Sequence, residues 1–282
     1  MEEPWILTDA HGHIGTKEER SERQKAGIIS LLCAVSPEEA KELIIQSKDQ
    51  HFQKGKGLLQ NRYLIPTCGI HPWYADQYQL QDMEEWMELC PVIGEIGMDN
   101  VWCNVDLKIQ EERFRQQLKL ACRQNKPVIL HTKGQEKQIA RIIRKYPNRY
   151  LVHWYSCDSH LEDYLAQNCY FSIGPDVWWN RAVRQVAEKV PAKRLLIETD
   201  GLSAVTWAYE EGMKICSKNP MKQSKAFEKG EGVVSALNSI LEIVAVIQHI
   251  TLQEAGRQIR ENLFHFIGND FSPYKDSAGR SS

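Results

Sequence analysis

The chain has almost no excess of charge of either sign, no long apolar run and no close pair of cysteines. Its 35 Lys and Arg stand against 37 Asp and Glu in 282 residues, a formal net charge of -2. No global basic field therefore advertises nucleic acid, although a local basic groove is compatible with that balance. The longest greasy stretch, Ile240 to Ile250, is interrupted by Glu242, Gln248 and His249. It is shorter than the roughly 20 apolar residues that cross a bilayer, so no membrane contact is expected. Met1-Glu2-Glu3-Pro4 lacks the basic residues and apolar core of a signal peptide, and a cytoplasmic location is the expectation. The 8 cysteines contain no Cys-x-x-Cys pair, and several sit in apolar runs, as Cys33 does after Ile28-Ile29-Ser30-Leu31-Leu32. Such thiols read as buried groups in a reducing compartment, not as a disulfide framework. With 42% hydrophobic and 26% charged residues the composition is that of an ordinary globular protein. No internal repeat or Pro/Gly/Ser linker divides it, so one domain is expected over 1–267, followed by a flexible tail over 268–282.

What the chain does have is alternation. Short runs rich in Val, Ile and Leu alternate with longer stretches of helical period, the pattern of βαβ units in a parallel sheet. The expected strands are Trp5–Ala10, Gly27–Val35, Tyr63–Gly69, Val92–Gly97, Pro127–His131, Tyr150–Trp154, Cys169–Ile173 and Arg194–Glu198. Such a set suits an α/β fold, a (β/α)8 TIM-type barrel. Ser36-Pro37-Glu38-Glu39 reads as a helix start with proline at the first helical position. Asp106 to Asn125 carries Leu107, Phe114, Leu118 and Ala121 along one stripe, and Val234, Leu237, Leu241 and Val244 form another. Thr251 with Glu254 is a capping box opening a last helix through Phe264. The stretch 201–232, with glycines at both ends and lysines 214, 218, 222, 225 and 229, reads as a long loop insertion, a lid or a partner surface.

Strand ends carry the chemistry. His11 and His13 lie two apart, and alternate residues of a strand point to the same side, so two imidazoles can aim at one point. Further along, Val92-Ile93-Gly94 delivers Glu95, Val128-Ile129-Leu130 runs into His131, Leu151-Val152 into His153, and Ile197-Glu198-Thr199 into Asp200. Each stands at or near the C-terminal end of a buried strand, where barrel enzymes build their active sites. Four histidines with a Glu and an Asp are about the inventory for two divalent metal ions, which can acidify a water and clamp attacking and leaving oxygens. The glycines flanking Glu95 permit the close backbone approach that a bridging carboxylate needs. Imidazole ligands suit Zn²⁺ while carboxylates and phosphate chemistry suit Mg²⁺ or Mn²⁺, so the donor set leaves the ion open.

The series Asp9-Ala10-His11-Gly12-His13, Gly69-Ile70-His71-Pro72, Gly94-Glu95-Ile96-Gly97-Met98-Asp99, Pro127-Val128-Ile129-Leu130-His131, His153 and Glu198-Thr199-Asp200 resembles the TatD family of metal-dependent hydrolases, and Asn262-Leu263-Phe264 resembles its closing helix. The resemblance runs in order over nearly the whole chain. It implies a TIM-type barrel of the amidohydrolase superfamily and hydrolysis of DNA phosphodiester bonds from the 3′ end. It also implies that His11, His13 and Asp200 hold one metal, that His131 and His153 hold the other, and that Glu95 bridges them. Asp200 would double as general base, and His71 would contact the scissile phosphate or orient the nucleophile. Some branches of the family deacylate mischarged tRNA, and TatD-like proteins also occur as subunits of multi-gene anti-phage defence systems with operon-encoded partners.

The chain departs from that family on loops facing the pocket. Thr132-Lys133 replaces Ser-Arg and loses the planar fork suited to phosphate; Trp154-Tyr155-Ser156-Cys157 follows His153, and Gly201-Leu202 follows Asp200. These changes keep an ester or amide hydrolase in play beside a deoxyribonuclease. Aromatics cluster near the expected mouth: Trp73, Tyr74, Trp102, Trp154, Tyr155, Trp178, Trp179 and Trp207. Such a rim suits stacking on single-stranded DNA, with Lys133, Trp73 and Trp154 the foremost substrate contacts because they adjoin site residues.

Overall fold

Three to six residues, buried along almost their whole length, are enough for each strand of this sheet, because helices cover it outside and side chains fill it inside. The computed structural model describes residues 6–49, 63–217 and 232–268. Along the chain run β1 (Thr8–His13), α1 (Lys17–Ala26), β2 (Ile29–Ala34), α2 (Pro37–Asp49), β3 (Leu64–Cys68), α3 (Leu80–Leu89), β4 (Val92–Gly97), α4 (Leu107–Gln124) and β5 (Val128–His131). They continue with α5 (Glu136–Ile143), β6 (Tyr150–Val152), α6 (Leu161–Leu165), β7 (Tyr170–Ile173), α7 (Arg181–Lys189), β8 (Leu195–Ile197), α8 (Leu202–Ser217), α9 (Val233–Ile247) and α10 (Leu252–Ile267). The eight strands pair in parallel in sequence order, forming a nearly closed barrel.

Most expected strands are trimmed at their ends, whereas the first is displaced forward. Its pairing with β2 shifts register between Asp9 and Gly12 and then resumes, which carries the strand through His11 to His13. Helix signals translate directly. Asp106 caps α4 through a side-chain bond from Lys108 N–H, Phe114, Leu118 and Ala121 are buried beneath it, and Thr251 and Glu254 form the capping box of α10. In α10 the Asn262 amide donates to the carbonyls of Ala192 and Leu195, pinning the helix to the approach of β8.

The stretch from 202 to 217 is a correction: it is helix α8, not loop. Leu202, Val205, Ala208, Tyr209 and Gly212 recur at helical spacing and face inward, with Val205, Ala208 and Gly212 buried. Lys214 sits near the end of that helix paired with Glu211, while lysines 218, 222, 225 and 229 and the tail from 269 lie outside the described residues. No single helix among the described residues is long and apolar enough to cross a membrane.

The seam between β1 and β8 is closed by polar groups. Asp200 N–H donates to His11 C=O at 3.1 Å, and Thr199 donates from its N–H and hydroxyl to the Asp9 carboxylate. Arg23, reaching from α1, donates to Asp9 at 2.5 Å, to Ser30 and to Thr199. Asp9 is fully buried and Arg23 is 4% exposed, so removing one partner strands a charge in the interior. Arg23→Ala is expected to destabilise the protein by about 3–5 kcal/mol, read as a lowered urea midpoint at unchanged m-value.

Candidate metal centre

Ligand-bearing side chains from six strand ends meet at the carboxylate of Glu95. β4 holds that residue where Gly94 and Gly97 leave room for neighbouring backbone, and a Cβ added at Gly97 would lie 1.9 Å from the His131 carbonyl oxygen. The Glu95 N–H donates to the Cys33 sulfur at 2.8 Å, and burial pushes that thiol up to about 12, so it remains a neutral acceptor. The two carboxylate oxygens face different partners. Oε1 lies 2.5 Å from His131 Nδ1 and 2.7 Å from His153 Nε2; Oε2 lies 3.4 Å from His11 Nε2, 3.5 Å from His71 Nε2 and 3.8 Å from His13 Nε2. Asp200, just past β8, places Oδ1 3.3 Å from His11 Nε2 and 3.4 Å from His13 Nε2.

The imidazoles are held from behind. Asp99 Oδ2 lies 3.0 Å from His131 Nε2, and Glu198 Oε1 lies 3.2 Å from His153 Nδ1, which leaves the other nitrogen of each ring turned to the centre. Asp99 in turn accepts the Trp73 indole N–H at 2.8 Å and the N–H groups of Val101 and Trp102. His71 differs: its Nδ1 accepts the Trp73 backbone N–H at 3.2 Å, so the neutral ring carries its proton on Nε2, facing Glu95. Asp99 and Glu198 belong to the motifs that carry the family resemblance, but their roles as orienting partners become visible only in three dimensions.

Electrostatics separates the same groups. Burial opposes charge on His11, His131 and His153, yet the carboxylates beside them win; the pKa of His11 and His153 is pushed well up and that of His131 up. Burial likewise opposes charge on Glu95, but the surrounding imidazoles hold its carboxyl well below the usual range, and Asp200 is lowered by its histidines in the same way. At His71 burial prevails and the pKa falls to about 4, leaving a neutral ring at pH 7.

The donor set fits divalent cations. Nδ1 and Nε2 of His11, Oε2 of Glu95 and Oδ1 of Asp200 are buried without a well-aligned hydrogen bond among the described residues. Three overlapping ligand groups, His11 with His13 and Glu95, His11 with His153 and Asp200, and His71 with Glu95 and His131, each bring their donor atoms within 4.8 Å of one another. All six expected metal ligands thus converge. The groups overlap, so His153 also lies within reach of His11 and Asp200, and His71 comes within the same range of Glu95 and His131.

The centre opens into a cavity of about 560 Å³ lined by Trp73, Trp102, Lys133, Trp154 and Trp207 together with Glu95 and Asp200. Trp73 and Trp207 are each 41% exposed, whereas Trp178 and Tyr155 are buried in the core and do not belong to the rim. Asp176 lies in a short 3-10 turn after β7, lines the same cavity and was missed in the sequence, where only its nearness to a strand end marked it. Burial pushes its carboxyl up to about 6 against the bonds it accepts from Asn180 and Trp154.

Comparison with known proteins agrees with this architecture. A family model described as TatD related DNase matches residues 8–268. A Bacillus subtilis protein named as the uncharacterized metal-dependent hydrolase YabD is 25% identical over 208 residues, covering 69% of this chain and 80% of its own length. The 3'-5' ssDNA/RNA exonuclease TatD of Escherichia fergusonii is 28% identical over 146 residues, 48% of this chain and 56% of that protein. Among solved structures, the TatD homologue YjjV of Escherichia coli superposes with a TM-score of 0.70 at 19% identity over 93% of this chain and 98% of its own, which speaks to the fold alone.

If these side chains hold metal, Mn²⁺ or Zn²⁺ will raise the unfolding midpoint of the purified protein. The gain is about 2.7 kcal/mol at a hundredfold excess over the dissociation constant. Glu95→Ala is expected to lose that gain, as followed by calorimetry with and without a chelator.

Proposed function

The chain belongs to the TatD-related DNase family of metal-dependent hydrolases, and from that premise we propose that it cleaves phosphodiester bonds at the 3′ ends of single-stranded DNA with two divalent ions. The observation that carries this reading is the division of the Glu95 carboxylate, one oxygen toward His131 and His153 and the other toward His11, His13 and His71. A carboxylate placed in this way suits a bridge between two ions. Ions held there would supply Lewis acidity, acidifying a water and drawing charge from the phosphoryl oxygens.

The protein's own groups do the rest. Asp200, kept ionised by His11 and His13, accepts the proton of the attacking water. His71, neutral and protonated on Nε2, donates to a phosphate oxygen or to the nucleophile, a role that better suits its tautomer than metal ligation does. Lys133 places its ammonium group on the cavity wall, 2.9 Å from Ser156 Oγ, as a point charge for a phosphate. Trp73 and Trp154 line the same wall as faces for bases. The relative named as an exonuclease supports the choice of nucleic acid as substrate.

A 5′-labelled single-stranded oligonucleotide incubated with the purified chain and Mn²⁺ or Mg²⁺ is expected to shorten stepwise from its 3′ end. Glu95→Ala and Asp200→Asn should each slow this by at least about a hundredfold. A metal-loaded protein that leaves the oligonucleotide intact while cleaving aminoacyl or simple esters would replace this reading with an ester hydrolase.

A further inference from the structure

Trp154 is fixed more firmly than a chance rim residue. Its backbone takes a φ of 39°, a region that a bulky side chain rarely occupies. Its ring lies so close to Gly174 that a Cβ there would come within 2.6 Å of indole carbons. Its Nε1–H donates to Asp176 Oδ1 at 2.7 Å, and Asp176 Oδ2 accepts from the Asn180 amide at 2.7 Å. Asp176 is 1% exposed, so a carboxylate is held in the interior with its two oxygens engaged by an indole and an amide.

The fixed indole belongs to a corner of four tryptophans. Trp207, on α8, lies 6.0 Å from Trp154 and 6.0 Å from Trp102 between ring centroids, both near edge-to-face, and 6.4 Å from Trp179. Core aromatics would be covered, yet Trp102 is 55% and Trp207 41% exposed, and both line the cavity that holds Glu95 and Asp200. Lys133 Nζ rests 4.5 Å from the centre of the Trp102 ring. Aromatic faces beside one ammonium match a stacked base joined to a phosphate.

We propose that Trp102, Trp154 and Trp207 form a nucleobase subsite beside the metal centre, and that Asp176 is the positioning residue that fixes it by holding the Trp154 indole. The proposal rests on the phosphodiesterase reading and deepens it. The subsite takes an unstacked base, so a base buried in a duplex stack is excluded from it.

The test compares a short single-stranded oligonucleotide with one of equal length bearing an abasic 3′ residue, both with phosphorothioate linkages, titrated against the metal-loaded protein by tryptophan fluorescence. Wild type is expected to prefer the base-bearing strand by about tenfold. Trp207→Ala and Asp176→Ala should each lose most of that preference. Asp176→Asn, which keeps an acceptor for the indole N–H but turns a donor toward the Asn180 amide, should retain clearly more of it than Asp176→Ala, a partial rescue that a general loss of packing would not show. With cleavable strands the loss should appear in KM and leave kcat largely in place. Equal affinity of wild type for both strands, or equal loss in Asp176→Asn and Asp176→Ala at unchanged thermal stability, would overturn the proposal. Base-selective binding without hydrolysis of any strand would instead remove the phosphodiesterase reading and leave the subsite standing.

Discussion

One buried carboxylate constrains the whole molecule. Glu95 is 1% exposed and keeps its negative charge only because imidazoles from several strands surround it. Bringing that many rings to one carboxylate requires chain segments far apart in sequence to end at the same place, which parallel strands of a barrel achieve. The local devices follow from the same need. Gly97 lets the backbone of β4 approach β5, Cys33 accepts the Glu95 N–H, and Asp99 and Glu198 turn two imidazoles inward. The Asp9 and Arg23 pair at the seam keeps β1 and β8, and hence His11 and Asp200, in register with the remaining strands.

The eight strands and the side chains that converge on Glu95 were legible in the sequence because both depend on local pattern. Continuous apolar runs mark strands buried on both faces, and a polar residue directly after such a run has to stand at the barrel's end. Helix α8 was obscured by composition. Flanking glycines and lysines give the stretch a loop-like composition that masks the helical spacing of Leu202, Val205, Ala208 and Gly212. Tyr155 and Trp178 were placed on the rim by proximity in sequence, but each turns into the core, since neighbouring residues in a tight turn point in different directions. Asp176 was marked only by its nearness to a strand end: its importance lies in an indole 22 positions earlier, a relation that no local pattern encodes.

The histidines also divide by the work their environment permits. His11, His131 and His153 sit among carboxylates that favour a positive charge, which a divalent cation can supply in place of protons. His71 shares the same centre, yet burial dominates there and a backbone N–H selects its tautomer. Similar side chains a few ångströms apart thus favour a positive charge in one case and a neutral ring in the other, without any change of residue type.

The close contact between Gly174 and Trp154 has a consequence for how this pocket can diversify. Any side chain at 174 would evict the indole, and any residue unable to donate from the position of its Nε1 would leave Asp176 Oδ1 without its donor, so that wall resists piecemeal change. Trp207 stands on a helix of its own beyond the last strand, and Trp102 in a loop beyond β4, each held by ring contacts and more exposed than the Trp154 wall. The cavity therefore combines a wall locked by Gly174 and Asp176 with a more exposed one, and a change of its shape is accommodated more readily on the second while the Glu95 cluster and the first stay as they are.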